Sequence, residues 1–314
     1  MAKPLPLLIL ICLFAGHAAA QPIPIVAAEN FYGDVARQIA GPTARVSSIL
    51  SNPDQDPHLF EASPSVARQI ATAGIVIYSG ADYDPWMTKL LAATRAPDRQ
   101  VIVVADIVHR KPGDNPHLWY DPPTMPAYAS ALAMALAQRD PTHKADYDQR
   151  LQSFLTSLQP LQQEIAEMRT RFHGTPVTAT EPVFGYMATA LGFTMRNQRF
   201  QLAVMNDTEP RASDVAAIDD DLRRHRVRIL FYNSQATDTA AQRLVAIAHQ
   251  SSIPVVGVTE TEPPNKTYQQ WMTEQLDAVA QAHERSRRAL RGLCANATSP
   301  CRANLVTFRC STVR

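Results

Sequence analysis

Asn115-Pro116-His117-Leu118-Trp119-Tyr120-Asp121-Pro122-Pro123 is the stretch from which the rest of the chain is read. Proline fixes φ, removes a backbone donor and drives the residue before it into extended geometry. Three prolines in nine residues make a stiff, non-helical corner that presents His117 with apolar bulk behind it. A similar corner stands at Asp56-Pro57-His58-Leu59-Phe60. Two corners of the form acid-or-amide, Pro, His, Leu, aromatic, 59 residues apart, suggest two imidazoles aimed at one point.

Outward from these corners, β-rich runs alternate with helical patterns. Residues 23–28 read as a strand, and Asn30 can cap a helix running to Gly41. Residues 44–50 form a second strand, with the His58 corner after its end. Ser63-Pro64 supplies a cap and a first-turn proline for a helix that stops at Gly74. A strand at 75–78, a helix at 86–93 and a strand at 100–105 follow, and the loop 106–126 carries His117. Asp140-Pro141 opens a long helix. Its apolar stripe of Tyr147, Leu151, Phe154, Leu158, Leu161, Ile165, Met168 and Phe172 runs about thirty residues, or roughly 45 Å. Pro160 should bend it. A coiled-coil dimer competes for this stripe, but only some four heptads lie between two α/β halves. After Gly174 the pattern restarts, with strands at 175–180, 193–199, 227–233 and 253–259 separated by helices and closed by a helix over 268–290. Strands alternating with helices imply βαβ units and mainly parallel sheets.

The expected fold class is therefore α/β: two four-stranded, mainly parallel-sheet lobes, at 21–139 and 174–290, joined by one long rigid helix at 140–173. Ligands of open parallel sheets bind beyond the carboxyl ends of the strands. His58, His117, Glu181 and Glu260 all fall just past expected strand ends. They are the candidate metal ligands, two from each lobe at one interlobe cleft. Taken singly, each has a plainer explanation: a loop-capping histidine, a first-turn acid favoured by the helix dipole, or a solvated loop acid. Glu262 rivals Glu260 for the fourth position.

Composition narrows the rest. The 314 residues carry 46% hydrophobic and 19% charged side chains and a formal net charge of +1, so nothing draws the chain to nucleic acid or anionic lipid. Residues 1–20 read as a cleaved secretory signal: Lys3, an apolar run from Leu5 to Phe14, and Ala18-Ala19-Ala20. That run is too short to span a bilayer, no other segment is a candidate span, and Cys12 lies inside it, which argues against lipidation. The other three cysteines, Cys294, Cys301 and Cys310, sit in an irregular tail at 291–314. The body thus has no thiolate metal site and no cysteine nucleophile. There is no phosphate loop, no HExxH and no GxSxG.

Asp56-Pro57-His58-Leu59-Phe60-Glu61 and Asn115-Pro116-His117-Leu118-Trp119-Tyr120-Asp121-Pro122 resemble the histidine motifs of the periplasmic zinc- and manganese-binding proteins of ABC importers, the ZnuA/TroA type. Glu181-Pro182-Val183-Phe184-Gly185-Tyr186 resembles that family's third-ligand segment and Val258-Thr259-Glu260 its fourth. The resemblance covers about residues 23–290. Glu260 departs from the aspartate common at the fourth position, and the His-rich acidic loop of many zinc members is absent. The resemblance implies an exported, periplasmic solute-binding protein, a monomer and not an enzyme, that hands one divalent ion to a membrane permease. Two imidazoles and two carboxylates suit Zn²⁺, Mn²⁺ or Fe²⁺. Asp56, Glu61, Asp121, Asn233 and Gln235 are candidate outer partners that would orient the ligands. A secreted metallohydrolase using the same residues is the rival reading, and it would need an open coordination position and a base. A metal-buffering protein or adhesin is a third.

Overall fold

The computed structural model describes residues 21–53, 57, 60–206, 208–236 and 239–295. His58, Asp56, the signal stretch, Cys301 and Cys310 lie outside the described residues, as does the side chain of Cys294.

Two four-stranded sheets organise the chain, ordered β2-β1-β3-β4 and β6-β5-β7-β8, with every pairing parallel. The first comprises β1 (Ile23–Glu29), β2 (Ala44–Leu50), β3 (Ile75–Tyr78) and β4 (Gln100–Val103). Helices α1 (Asn30–Ala40), α2 (Pro64–Thr72) and α3 (Pro85–Ala93) make its crossovers. The short α4 (Val104–Ile107) leads into the His117 loop. The second sheet comprises β5 (Pro176–Ala179), β6 (Thr194–Met195), β7 (Leu230–Asn233) and β8 (Val255–Val258). The central strands are covered on both faces, so they read as apolar runs without alternation: Ile25, Val26 and Ala27 are all buried. The shared strand order puts a switch point beside β1 in one sheet and beside β5 in the other, where crevices open at the strand ends.

The stretch read as one linking helix is a 3₁₀ turn at Pro141–His143 followed by α6 (Lys144–Ser157) and α7 (Gln159–Phe172). Leu158 between them keeps right-handed helical angles, and the i to i−4 ladder continues through Leu158 N–Phe154 O at 3.3 Å and Gln162 N–Leu158 O at 3.0 Å. Pro160 has no N–H to offer to that ladder, and the break falls beside it. Of the stripe, Tyr147, Phe154, Leu158, Leu161, Ile165, Met168 and Phe172 are buried as the spacing predicts, and Leu151 is half-buried.

Three local expectations change. Helix α5 (Thr124–Arg139) was not expected; it buries Met125, Tyr128, Leu132 and Leu136 at steps of three and four. The strand expected over 193–199 is cut to β6, because Asn197 takes a left-handed conformation (φ 58°) and starts α9 (Gln198–Met205). Asp221 on α10 (Ala212–Arg223) pins that turn through Arg196 Nε at 2.7 Å and Asn197 Nδ2 at 3.0 Å. Asn30 does not cap α1; Glu29 holds the cap position, and the Asn30 amide spans to the second half.

One apolar core joins the two sheets. An aromatic chain crosses it: Phe31 to Trp119 at 4.6 Å, Tyr120 to Phe184 at 5.1 Å, and Phe184 to Phe231 at 4.8 Å between ring centroids. Tyr268, which opens α12 (Tyr268–Ala295), donates its hydroxyl to Trp119 O at 2.8 Å. No described helix is long and apolar enough to cross a membrane.

Candidate metal centre

The proline corner builds the site from one side. The turn Leu118–Tyr120 buries three apolar side chains completely, and this drags His117, also fully buried, to the seam between the sheets. Asn115 fixes the ring. Its Nδ2 donates to Pro182 O at 2.8 Å, so its Oδ1 is the end that faces His117, accepting from the backbone N at 3.2 Å and lying 2.6 Å from Nδ1. Nδ1 therefore carries a proton, and Nε2 faces Glu260. Trp119 and Tyr83 pack edge-on to the imidazole at 5.3 and 6.0 Å.

Glu260 comes from the loop after β8 and is 1% exposed. Its Oε2 stands 3.4 Å from His117 Nε2. Its Oε1 accepts from Asn233 Nδ2 at 2.6 Å, and its backbone N donates to Gln235 Oε1 at 2.6 Å. Gln235 also donates to Pro53 O at 3.0 Å, which ties the segment leading towards His58 to the Glu260 loop. Glu181 is buried at the carboxyl end of β5, in extended geometry before the 3₁₀ turn Pro182–Phe184. Asn115 holds the carbonyl of the next residue, Pro182, so the Glu181 and His117 loops are tied together.

Of the expected outer partners, Asn233 and Gln235 contact Glu260 directly. Asp121 instead pairs with Arg110 at 3.3 Å, and Glu61 is exposed. Asn115, which the sequence reading passed over, holds the His117 ring. The clue was available, since an Asn side chain two residues before a backbone N–H is the ordinary Asx turn.

Glu262 is turned elsewhere. Its backbone N donates to Asn30 Oδ1 at 3.0 Å, while Asn30 Nδ2 donates to its carbonyl at 2.7 Å. Burial pushes its carboxyl up to about 9, with the nearby Asp34 charge adding to the rise and Arg37 opposing it. The folded state therefore retains a proton that the unfolded chain releases above its ordinary value. Stability should fall as pH rises between those two values, by at most about 1.4 kcal/mol per unit. Glu262→Gln should remove this slope: urea melts at pH 5 and pH 8 should show the variant gaining on the parent at pH 8. An unchanged gap would contradict a buried, protonated Glu262. Behind Tyr83, burial likewise raises Glu29, with the facing Asp84 carboxyl adding to the rise, and burial brings Asp84 up to about 6.

The chain is similar to known proteins over most of its length. The family model "ZnuA: Zinc-uptake complex component A periplasmic" matches residues 25–282. The manganese ABC transporter substrate-binding lipoprotein PsaA of Streptococcus anginosus is 23% identical over 285 residues, covering 83% of this chain and 89% of that protein. The iron-binding protein YfeA of Yersinia pestis is 21% identical over 233 residues, covering 72% and 74%. Among solved structures, the periplasmic zinc-binding protein TroA of Treponema pallidum superposes with a TM-score of 0.70 at 18% identity, over 84% of this chain and 99% of that one, which shows a shared fold. With residues 25–282 matched, most of its length, this chain belongs to the ZnuA family of zinc-uptake components.

Proposed function

We propose that the protein captures one divalent transition metal ion at the seam between the sheets, acting in the periplasm as the substrate-binding component of an ABC importer and releasing the ion to a membrane permease. His58 and His117 supply neutral nitrogens; Glu181 and Glu260 supply oxygens and charge. The observation that carries this is the 3.4 Å between His117 Nε2 and Glu260 Oε2. An imidazole nitrogen and a carboxylate oxygen brought this close in a dry interior are two donor atoms that one cation can bridge. Ligands held at 2.0–2.1 Å on one tetrahedral ion stand about 3.3–3.4 Å apart. The family is one of substrate-binding proteins, which favours capture over the hydrolase reading.

Imidazoles must shed their protons to bind, so affinity should fall at least about tenfold from pH 7.5 to 5.5. Titration of metal-free protein with zinc and with manganese at both pH values checks this, and no weakening in acid would exclude histidine ligation. Elemental analysis of protein purified without added metal, repeated on Glu181→Ala and Glu260→Ala, tests the carboxylates. Either variant retaining a full equivalent removes that residue from the ligand set.

A further inference from the structure

The formal net charge of +1 hides a division within the chain. Residues 281–314 carry seven arginines against one acid, Glu284, which leaves 23 of the 30 basic and 28 of the 29 acidic side chains, a net −5, to residues 1–280. Arg285, Arg287 and Arg288 are exposed on the C-terminal part of α12. Ser286 and Ala289, from the same stretch, line one cleft with His225, Val227 and Arg228, so the exposed Arg223, Arg224 and Arg226 stand next to that helix end. Arg171, exposed in the last turn of α7, reaches Glu284 at 3.2 Å. Arg228 N donates to Pro176 O at 2.8 Å and Leu230 N to Pro254 O at 3.0 Å, which places the cluster at the starting ends of β5, β7 and β8. Seven exposed arginines here meet three acids. Arg224 and Arg226 share Asp220 at 2.5 and 2.8 Å, Asp221 lies 3.7 Å from Arg226, and Arg171 and Arg287 share Glu284 at 3.2 and 3.9 Å. Arg223, Arg285 and Arg288 have no acid partner among the described residues. A cation at a helix C-terminus is ordinary, but three helix ends crowding seven onto one face goes beyond that.

We propose that this arginine face is a peripheral docking surface for the anionic headgroups of a phospholipid membrane. Its chemistry selects among occupants. The face is built of arginines with short polar neighbours, and the large exposed apolar side chains of the described residues, Val101, Met134 and Leu202, stand on β4, α5 and α9 instead. A protein interface would centre on aromatic or apolar anchors, and a single-stranded nucleic acid would need rings to stack on. A layer of headgroup phosphates needs only cations spread over a surface, and guanidinium meets phosphate through two parallel hydrogen bonds. Each basic side chain brought to an anionic membrane adds about fivefold in affinity. Arg291, Arg302, Arg309 and Arg314 continue the same charge along the sequence. The remainder of the chain is net acidic and is repelled by such a surface, so the charge division orients the protein as well as holding it. Glu181 and Glu260 follow the opposite ends of β5 and β8, so a membrane bound at the arginines leaves them uncovered.

The test uses metal-free protein of residues 21–314, so that the apolar run before it does not itself enter lipid. It is sedimented with vesicles of phosphatidylcholine, alone or mixed with phosphatidylglycerol. The mixed vesicles should take up the protein at about 50 mM salt and release it at about 500 mM, where charges are screened within a few ångströms. The neutral vesicles should take up none. Arg223→Ala, Arg285→Ala and Arg288→Ala, which remove the three arginines without an acid partner, should together cost about 100-fold in vesicle affinity. Zinc affinity and the circular dichroism spectrum should stay as in the parent. A triple variant that binds within about threefold of the parent overturns the proposal, since three lost surface charges would then count for almost nothing. Uptake by neutral vesicles also overturns it, and so does no uptake by the mixed vesicles at low salt, which would leave the face to an acidic protein. These two arms use the parent alone and decide the matter even if the variant does not fold. No metal enters the lipid measurement, so its failure leaves the capture reading standing, and the zinc titration tests that reading separately.

Discussion

His117→Ala should lower the affinity for zinc at pH 7.5 by about 100-fold or more while leaving the folded structure in place. Total binding free energies at four-ligand zinc sites run to roughly 10–16 kcal/mol, so one ligand of four is worth about 3 kcal/mol, or about two decades in Kd. The ring is pre-oriented: Asn115 fixes its tautomer at 2.6 Å, and Trp119 and Tyr83 wall it in. A donor already held in its binding orientation loses little entropy on binding, so its removal should cost near the full value of a ligand. Far-UV circular dichroism of the metal-free variant should match the parent, because the turn behind His117 is held by Leu118, Trp119 and Tyr120. Competition titration against a chromophoric chelator measures the change. A loss under about fivefold would mean that the His117–Glu260 pair does not hold the ion.

Trp119→Ala should cost about 3–5 kcal/mol of unfolding free energy, the usual range for emptying a large buried aromatic site. That is a large share of the 5–15 kcal/mol typical of a whole protein. Trp119 is fully buried and packs on Phe31 at 4.6 Å and Tyr83 at 4.9 Å, and its carbonyl takes the Tyr268 hydroxyl from the second half. The cavity would open inside the core shared by both sheets, where the surroundings cannot collapse without parting them. Trp119→Phe should recover most of the loss. Urea unfolding followed by circular dichroism reads both variants. A cost below about 1 kcal/mol would show that the two halves do not depend on a common core. The same packing gives a reason for expecting small relative motion of the halves: Tyr120 donates to Thr259 O at 2.9 Å and Tyr186 to Asn115 O at 2.8 Å, so opening the seam breaks interlobe bonds near His117.

Much of this was legible in the residues. Proline-bounded corners, apolar strand runs and the four-three stripe from Tyr147 to Phe172 are local patterns, and local patterns survive without knowledge of the partner surface. The misses share a cause. The shortened β6 depends on Asp221, 24 residues from Asn197, reaching back to hold a left-handed turn. Asn30 looks like a cap but is used by Glu262, 232 residues away. Propensity is a weak prior that such distant partners override.

The sequence alone determined the α/β class, the two-part repeat, the His117 corner and the placing of Glu181 and Glu260 at strand ends, because backbone stiffness and hydrophobic periodicity act over a few residues. Only the tertiary structure separated Glu260 from Glu262. Both acids occupy the same loop and the same chemistry, and on an extended segment residues two apart would share a face; the bend at Glu260 and Thr261 turns them apart. One therefore meets His117 and Asn233, and the other meets Asn30 and Asp34. That division is set by how the two sheets pack, and no spacing rule within the loop contains it.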